Sequence, residues 1–126
     1  MVHVQEHRLE MAKAFAVEAV IDGAREDVLA RVLAGDRNEG ASVVIAAAAS
    51  AKAQEQAITL ATIRGRVSFF GGLPMTAPCA FVNSNLIHYR ELSISGAYGS
   101  MPRLRNIPES APPPFRRHRQ SCRGRK

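Results

Sequence analysis

The chain has 126 residues, room for one ordinary domain, with a hydrophobic share of 46% that suits a globular protein. No apolar run approaches the roughly 18 residues of a membrane span. The opening residues Met1 to Arg8 are too polar for a secretory signal, and the two cysteines, Cys79 and Cys122, make neither a disulfide framework nor a Cys/His cluster at zinc spacing, so a reducing cytoplasm is the default compartment.

The net charge of +6 is unevenly placed. Residues 103–126 carry eight basic residues against one acid, Glu109, which leaves nine basic and ten acidic residues in 1–102. The body is nearly neutral and the C-terminal segment supplies all of the basic character.

In chain order, Val2 to Val4 is a short extended start, and Glu6 to Phe15 reads as a helix with Leu9, Ala12 and Phe15 on one face. Glu18 to Ile21 reads as a short strand, and Asp22-Gly23-Ala24 as a turn that Asp22 could cap. Arg25 to Ala34 is a second amphipathic helix closed by Gly35. Ser42 to Ala47 is a continuous apolar run of strand length, as expected of a parallel strand covered on both faces. Ser50 stands where an N-cap belongs, before a helix predicted over Ala51 to Ile63 and broken by Gly65. Arg66 to Phe70 is a β-branched and aromatic strand, and Gly71-Gly72-Leu73-Pro74 turns the chain into a loop over 75–85. Leu86 to Tyr89 and Glu91 to Ser95 read as extended or mixed, closed by Gly96. Strands alternating with helices imply an α/β fold, a parallel sheet with helices on both faces.

The character changes after Pro102. Pro108, Pro112, Pro113 and Pro114 forbid a regular helix, and the rest is mostly arginine. The expected organisation is therefore a folded part over 1–102 and a disordered basic tail over 103–126. Arginines among prolines could bind nucleic acid or another anionic surface through phosphate contacts. The tail has only Phe115 for base stacking, however, and an unselected extension explains it better.

Arg64 to Gly72 (RGRVSFFGG) and Asn85 to Gly99 (NLIHYRELSISGAYG) resemble the zinc-containing medium-chain alcohol and polyol dehydrogenases, closest to the sorbitol and threonine dehydrogenase branch. RLEMAKAF from Arg8, ASVVIAAA from Ala41 and AQEQAITL from Ala53 agree with that pattern, in order and at the right separations, over roughly residues 5–102. Ala16 departs from it, since a glycine is expected after Phe15.

The resemblance implies a six-stranded doubly wound sheet binding NAD or NADP, with strand order 3-2-1-4-5-6. On that template Val2 to Val4 is what remains of the second strand. The first strand, its Gly-x-Gly-x-x-Gly loop and the zinc-binding domain would all precede residue 1. The expectation is thus an incomplete doubly wound sheet from a truncated dehydrogenase, inactive alone, with the family's zinc ligands lacking a counterpart. The first strand belongs between the second and fourth, so its loss leaves two sheet pieces facing a gap. Unpaired buried amides cost about 1–3 kcal/mol each, against the roughly 5–15 kcal/mol that stabilises a domain. Self-association through the exposed edges is expected, or else pairing of Val2 to Val4 with Ser42 to Ala47.

The candidate cofactor-binding residues are Arg8, Phe70, Gly71, Gly72, Ala97 and Tyr98. Phe70-Gly71-Gly72 ends a parallel strand, where cofactors sit in open α/β sheets, and glycine lets a backbone approach a flat ring closely. The turn before Pro74 needs glycine in any case. The resemblance favours contact with the nicotinamide half, and implies that Ala97-Tyr98 lines the same site. It also implies an acid at the end of the second strand that holds the adenosine ribose, supported by a basic residue five positions on. Arg8 matches the basic residue, but His3 replaces the acid, so the choice between NAD and NADP stays open. His88 and Tyr89 look like a catalytic pair by type and read better as structural, since no serine or carboxylate completes a triad.

Overall fold

A computed structural model describes residues 1–97. The elements alternate as β1 (Val2–His3), α1 (Glu6–Lys13), β2 (Ile21–Asp22), α2 (Val28–Gly35), β3 (Ala41–Ala46), α3 (Ala51–Leu60), β4 (Ala61–Phe69), α4 (Ser84–Tyr89) and β5 (Ser93–Gly96). Every strand pairing is parallel. The strands form two sheets, one of order β1-β2 and one of order β3-β4-β5. This is a doubly wound pattern in two pieces. Val2 to His3 pairs with Ile21 to Asp22 and does not join β3, so the alternative in which it slides across is not realised.

The strongest local signals lie around α3. The Ser50 hydroxyl accepts from the Ala53 amide at 3.4 Å, satisfying one of the donors that a helix start leaves unpaired. Gln54, Ala57 and Ile58 recur at helical spacing and are buried. Ala57 packs with Ala46, Ala61 and Val67 into one core cluster, which covers the face of the sheet carrying Val44 and Phe69. A second cluster joins Ile21, Val28 and Leu60, with Leu29, Val32 and Val44 against it. Leu60 and Val44 therefore tie the β1-β2 piece to the larger sheet.

Several expectations are corrected. The apolar run at β3 is covered on one face only: Val43 is 48% and Ile45 65% exposed. Helix α1 ends at Lys13, and Phe15 lies outside it, 68% exposed. The strand expected over Glu18 to Ile21 is confined to Ile21–Asp22, and helix α2 starts at Val28 rather than Arg25 because Asp27, not Asp22, caps it, accepting from the Ala30 amide at 3.1 Å. Asp22 instead closes the preceding turn, accepting from the Ala24 amide at 2.9 Å. Helix α3 stops at Leu60, and β4 begins at once. Gly65 still marks an irregularity: the register steps from Ala41↔Ala61 to Val43↔Arg66, so Ser42 on β3 faces Thr62 to Gly65 on β4.

The stretch over Leu86 to Tyr89, expected to be extended or mixed, is the body of helix α4. Asn83 caps it, its side chain accepting from the Asn85 amide at 3.0 Å. No helix among the described residues is long and apolar enough to cross a membrane. Tyr98 and the segment 103–126 lie outside the described residues.

Candidate functional site at the carboxyl ends of β4 and β5

The end of β4 is shaped by one carbonyl. The amides of Phe70 and Gly71 both donate to the Ala46 oxygen, at 3.1 and 2.9 Å, so the chain wraps around the end of β3 as it leaves the sheet. Beside it, the Ala97 amide donates to the Phe69 oxygen at 3.0 Å. Phe70, Gly71, Gly72 and Ala97 are thereby gathered at the carboxyl ends of two adjacent parallel strands, the position at which open α/β sheets take their ligands.

The two glycines differ. A Cβ on Gly71 would lie 2.6 Å from the Ala47 oxygen and 2.7 Å from the Ala48 oxygen, so close backbone packing alone requires glycine there. A Cβ on Gly72 would meet nothing within 4 Å. Gly72 thus presents bare backbone on an open side, and Phe70 beside it is 53% exposed. A flat ring lying on the strand ends would need such an opening.

Arg8 is placed elsewhere. It lines a shallow groove of about 380 Å³ between β1 and α1, with His3, Gln5, Met11 and Phe15 among the other walls. The His3 Nδ1 accepts from the Gln5 amide at 3.0 Å, which orients the ring and leaves Nε2 as the remaining polar edge. No carboxylate lines the groove among the described residues. Asp22, the register neighbour of His3, turns its carboxylate to the Ala24 amide and, at 3.6 Å, to Arg25. The candidate residues therefore fall into two places: Phe70 to Gly72 with Ala97, and Arg8 with His3.

His88 and Tyr89 stack edge-to-face with ring centroids 4.8 Å apart. Both are exposed at the end of the six-residue α4, and Tyr89 is 76% exposed. No catalytic partner approaches them among the hydrogen bonds of the described residues. Among the described residues no group of three or more His, Cys, Asp or Glu side chains converges as metal ligands, so these residues do not form a zinc site.

Sequence reasoning missed two interactions that hold the turn and loop of the site, and a third at the opposite, amino end of β4. Gln54, the one buried polar residue among those described, donates from Nε2 to the Gly71 oxygen at 2.9 Å. Glu55 accepts from the Phe81 amide at 2.8 Å. Arg90 donates from Nη1 to the oxygens of Thr59 and Ala61 at 3.0 and 2.8 Å. The first two positions passed as good helix formers, and only a polar residue on the apolar stripe of α3 hinted at more.

Comparison with known proteins agrees with this geometry. Residues 1–111 match the zinc-binding dehydrogenase family. The chain is 33% identical over 98 residues to an uncharacterized zinc-type alcohol dehydrogenase-like protein of Escherichia coli, covering 78% of this chain and 27% of that one. An Escherichia coli oxidoreductase/dehydrogenase of unknown specificity involved in membrane biogenesis superimposes with a TM-score of 0.68 at 34% identity, over 75% of this chain and 26% of its own. A zinc-binding dehydrogenase of Sinorhizobium meliloti bound to NADP does so with a TM-score of 0.67 at 27% identity, over 76% and 28%. Benzyl alcohol dehydrogenase from Acinetobacter calcoaceticus shares the fold, with a TM-score of 0.71 at 23% identity over 77% and 26%. The chain spans about a quarter of the length of these relatives. By the family match, the ordered agreement of its motifs and the two-piece parallel sheet, the chain belongs to the zinc-binding dehydrogenase family, where it corresponds to part of the dinucleotide-binding domain.

Proposed function

We propose that this chain serves NAD(P)-dependent hydride transfer between an alcohol or polyol and the nicotinamide ring, as part of a dehydrogenase site. The observation that carries the proposal is the open backbone of Gly72 just beyond the carboxyl end of β4, with Ala97 at the end of the adjacent β5. When bound, the dinucleotide supplies the hydride acceptor. The residues of this chain would seat and orient the ring: Phe70 and Gly72 form the floor, Ala97 a flank, and the Ala46 carbonyl keeps the β4 end in place.

The second place would hold the adenosine end. Among the described residues its groove joins the basic His3 and Arg8 without a carboxylate, which favours a ribose bearing a phosphate over one with free hydroxyls, and hence NADP over NAD. The relative bound to NADP supports this choice by analogy. Restoring an acid with His3→Asp is expected to reverse the preference. Binding of NADPH and NADH to both forms, followed by titration, tests the assignment; an unchanged preference would remove His3 from the cofactor site.

The polypeptide 1–126 alone is proposed not to oxidise alcohols, since its described residues assemble no zinc ligands. Zinc-dependent turnover by the purified chain would refute that. We further propose that two copies associate through β3. Among the described residues this strand is bonded only to β4, its sequence ASVVIA carries no charge or proline to discourage pairing, and Val43 and Ile45 add exposed apolar surface.

A further inference from the structure

We infer that Gln54 is a positioning residue, whose buried amide fixes the Gly71–Gly72 turn in the shape that offers Gly72 to the nicotinamide ring. The inference rests on the nicotinamide placement proposed above. Gln54 is 7% exposed and stands on the same helical stripe as Ala57 and Ile58, where an apolar side chain would bury at lower cost. Its Nε2 donates to the Gly71 oxygen at 2.9 Å.

That contact holds the turn through its carbonyl, while the sheet holds it through its amide. The Gly71 amide is held by the Ala46 oxygen at 2.9 Å, and the Gly71 carbonyl is held by Gln54, so the two peptide planes flanking Gly71 are each pinned. The second plane contains the Gly72 amide, and its orientation decides which side of Gly72 faces outward. Without the Gln54 donor that plane is free to rotate about the backbone of Gly71, and the Gly71 oxygen loses its partner. The next residue, Glu55, holds the return of the same loop by accepting from the Phe81 amide at 2.8 Å. One turn of α3 therefore tethers the loop where it leaves β4 and where it comes back.

The test uses the full 126-residue chain and three proteins: wild type, Gln54→Met and Ile58→Val. Methionine keeps the length of Gln54 and removes its donor. Ile58→Val trims a core side chain that is 2% exposed on the same helix and measures the effect of general destabilisation. Amide hydrogen exchange is read first without ligand. In Gln54→Met the Phe70 and Gly71 amides are expected to exchange about tenfold faster relative to the Val67 amide than they do in Ile58→Val. NADPH is then titrated while backbone amide shifts are followed. The Gly72 shift is expected to shrink at least by half in Gln54→Met, while shifts at His3 and Arg8 persist.

Exchange that rises evenly across β4 in both variants would make Gln54 an ordinary core residue and overturn the inference. An undiminished Gly72 shift in Gln54→Met would overturn it as well. If wild type shows no NADPH shift at Gly72 while exchange responds selectively, the nicotinamide placement fails and Gln54 keeps only its hold on the turn.

Discussion

The Arg90 guanidinium donates to the Ala61 carbonyl across 2.8 Å, joining the end of α4 to the point where α3 becomes β4. The same Nη1 reaches the Thr59 carbonyl at 3.0 Å, and the Arg64 amide donates back to the Arg90 oxygen at 2.7 Å. A cation at a helix C-terminus satisfies orphan carbonyls and complements the helix dipole. Here it also permits the abrupt change from helix to strand. The two segments that carry the family resemblance most clearly, around Arg64 and around Arg90, thus interlock with each other.

Replacing Arg90 with Met should cost about 1.5–3 kcal/mol, the range for hydrogen bonds to a charged group. Breaking the neighbouring Arg64–Glu91 pair should cost far less. It is short at 2.7 Å, but its side chains are 78% and 63% exposed, and such pairs contribute about 0–1 kcal/mol. Glu91 also holds a left-handed φ of 52°. Glu91→Gly relieves that strain and should leave stability level or raise it by about 1 kcal/mol. Denaturant melts of the two variants provide the check, and equal losses would show that Arg90 is not the cap.

Alanine at the two adjacent glycines should separate structure from binding. Gly71→Ala drives a methyl onto the Ala47 and Ala48 carbonyls and should destabilise by about 1–3 kcal/mol or more. Gly72→Ala meets only open space and should shift stability by less than about 0.5 kcal/mol. Its effect should fall on cofactor binding instead. Melting curves that move equally for both would mean that Gly72 is needed by the chain itself.

Much of this was readable from the residues. Ser50 capped the helix it was expected to cap, the apolar run at β3 is a parallel strand, and the motif around Phe70 lies at a strand end. What failed depends on distant partners. Nothing near Leu60 stops the helix there; Arg90, from the far side of the loop, does. The expected cover over both faces of β3 required knowing what lies against Val43 and Ile45, which no local pattern contains. Helix α4 was misread because Leu86, Ile87 and Tyr89 suit strands as well as helices, although Asn83 carried a capping signal.

The uncovered strand leads to a prediction about assembly. At micromolar concentration the chain should run as a dimer or larger species by light scattering. Ile45→Lys places a charge on the exposed face of the edge strand and should return it to monomer, with little change in stability because Ile45 is already 65% exposed. A wild-type chain that stays monomeric and unfolds cooperatively would show that β3 needs no partner.

The most direct measurement is an amide-shift titration of the 126-residue chain with NADPH into the millimolar range. Binding should be weak, with a dissociation constant above about 10 μM, because the described residues include no glycine-rich phosphate loop opening a helix. The predicted shifts cluster in two places, at Phe70, Gly72 and Ala97 and at His3 and Arg8, and fade elsewhere. Shifts that avoid Gly72 and Ala97, or none at all by several times the ligand concentration that saturates His3 and Arg8, would contradict the placement of the nicotinamide ring at the ends of β4 and β5.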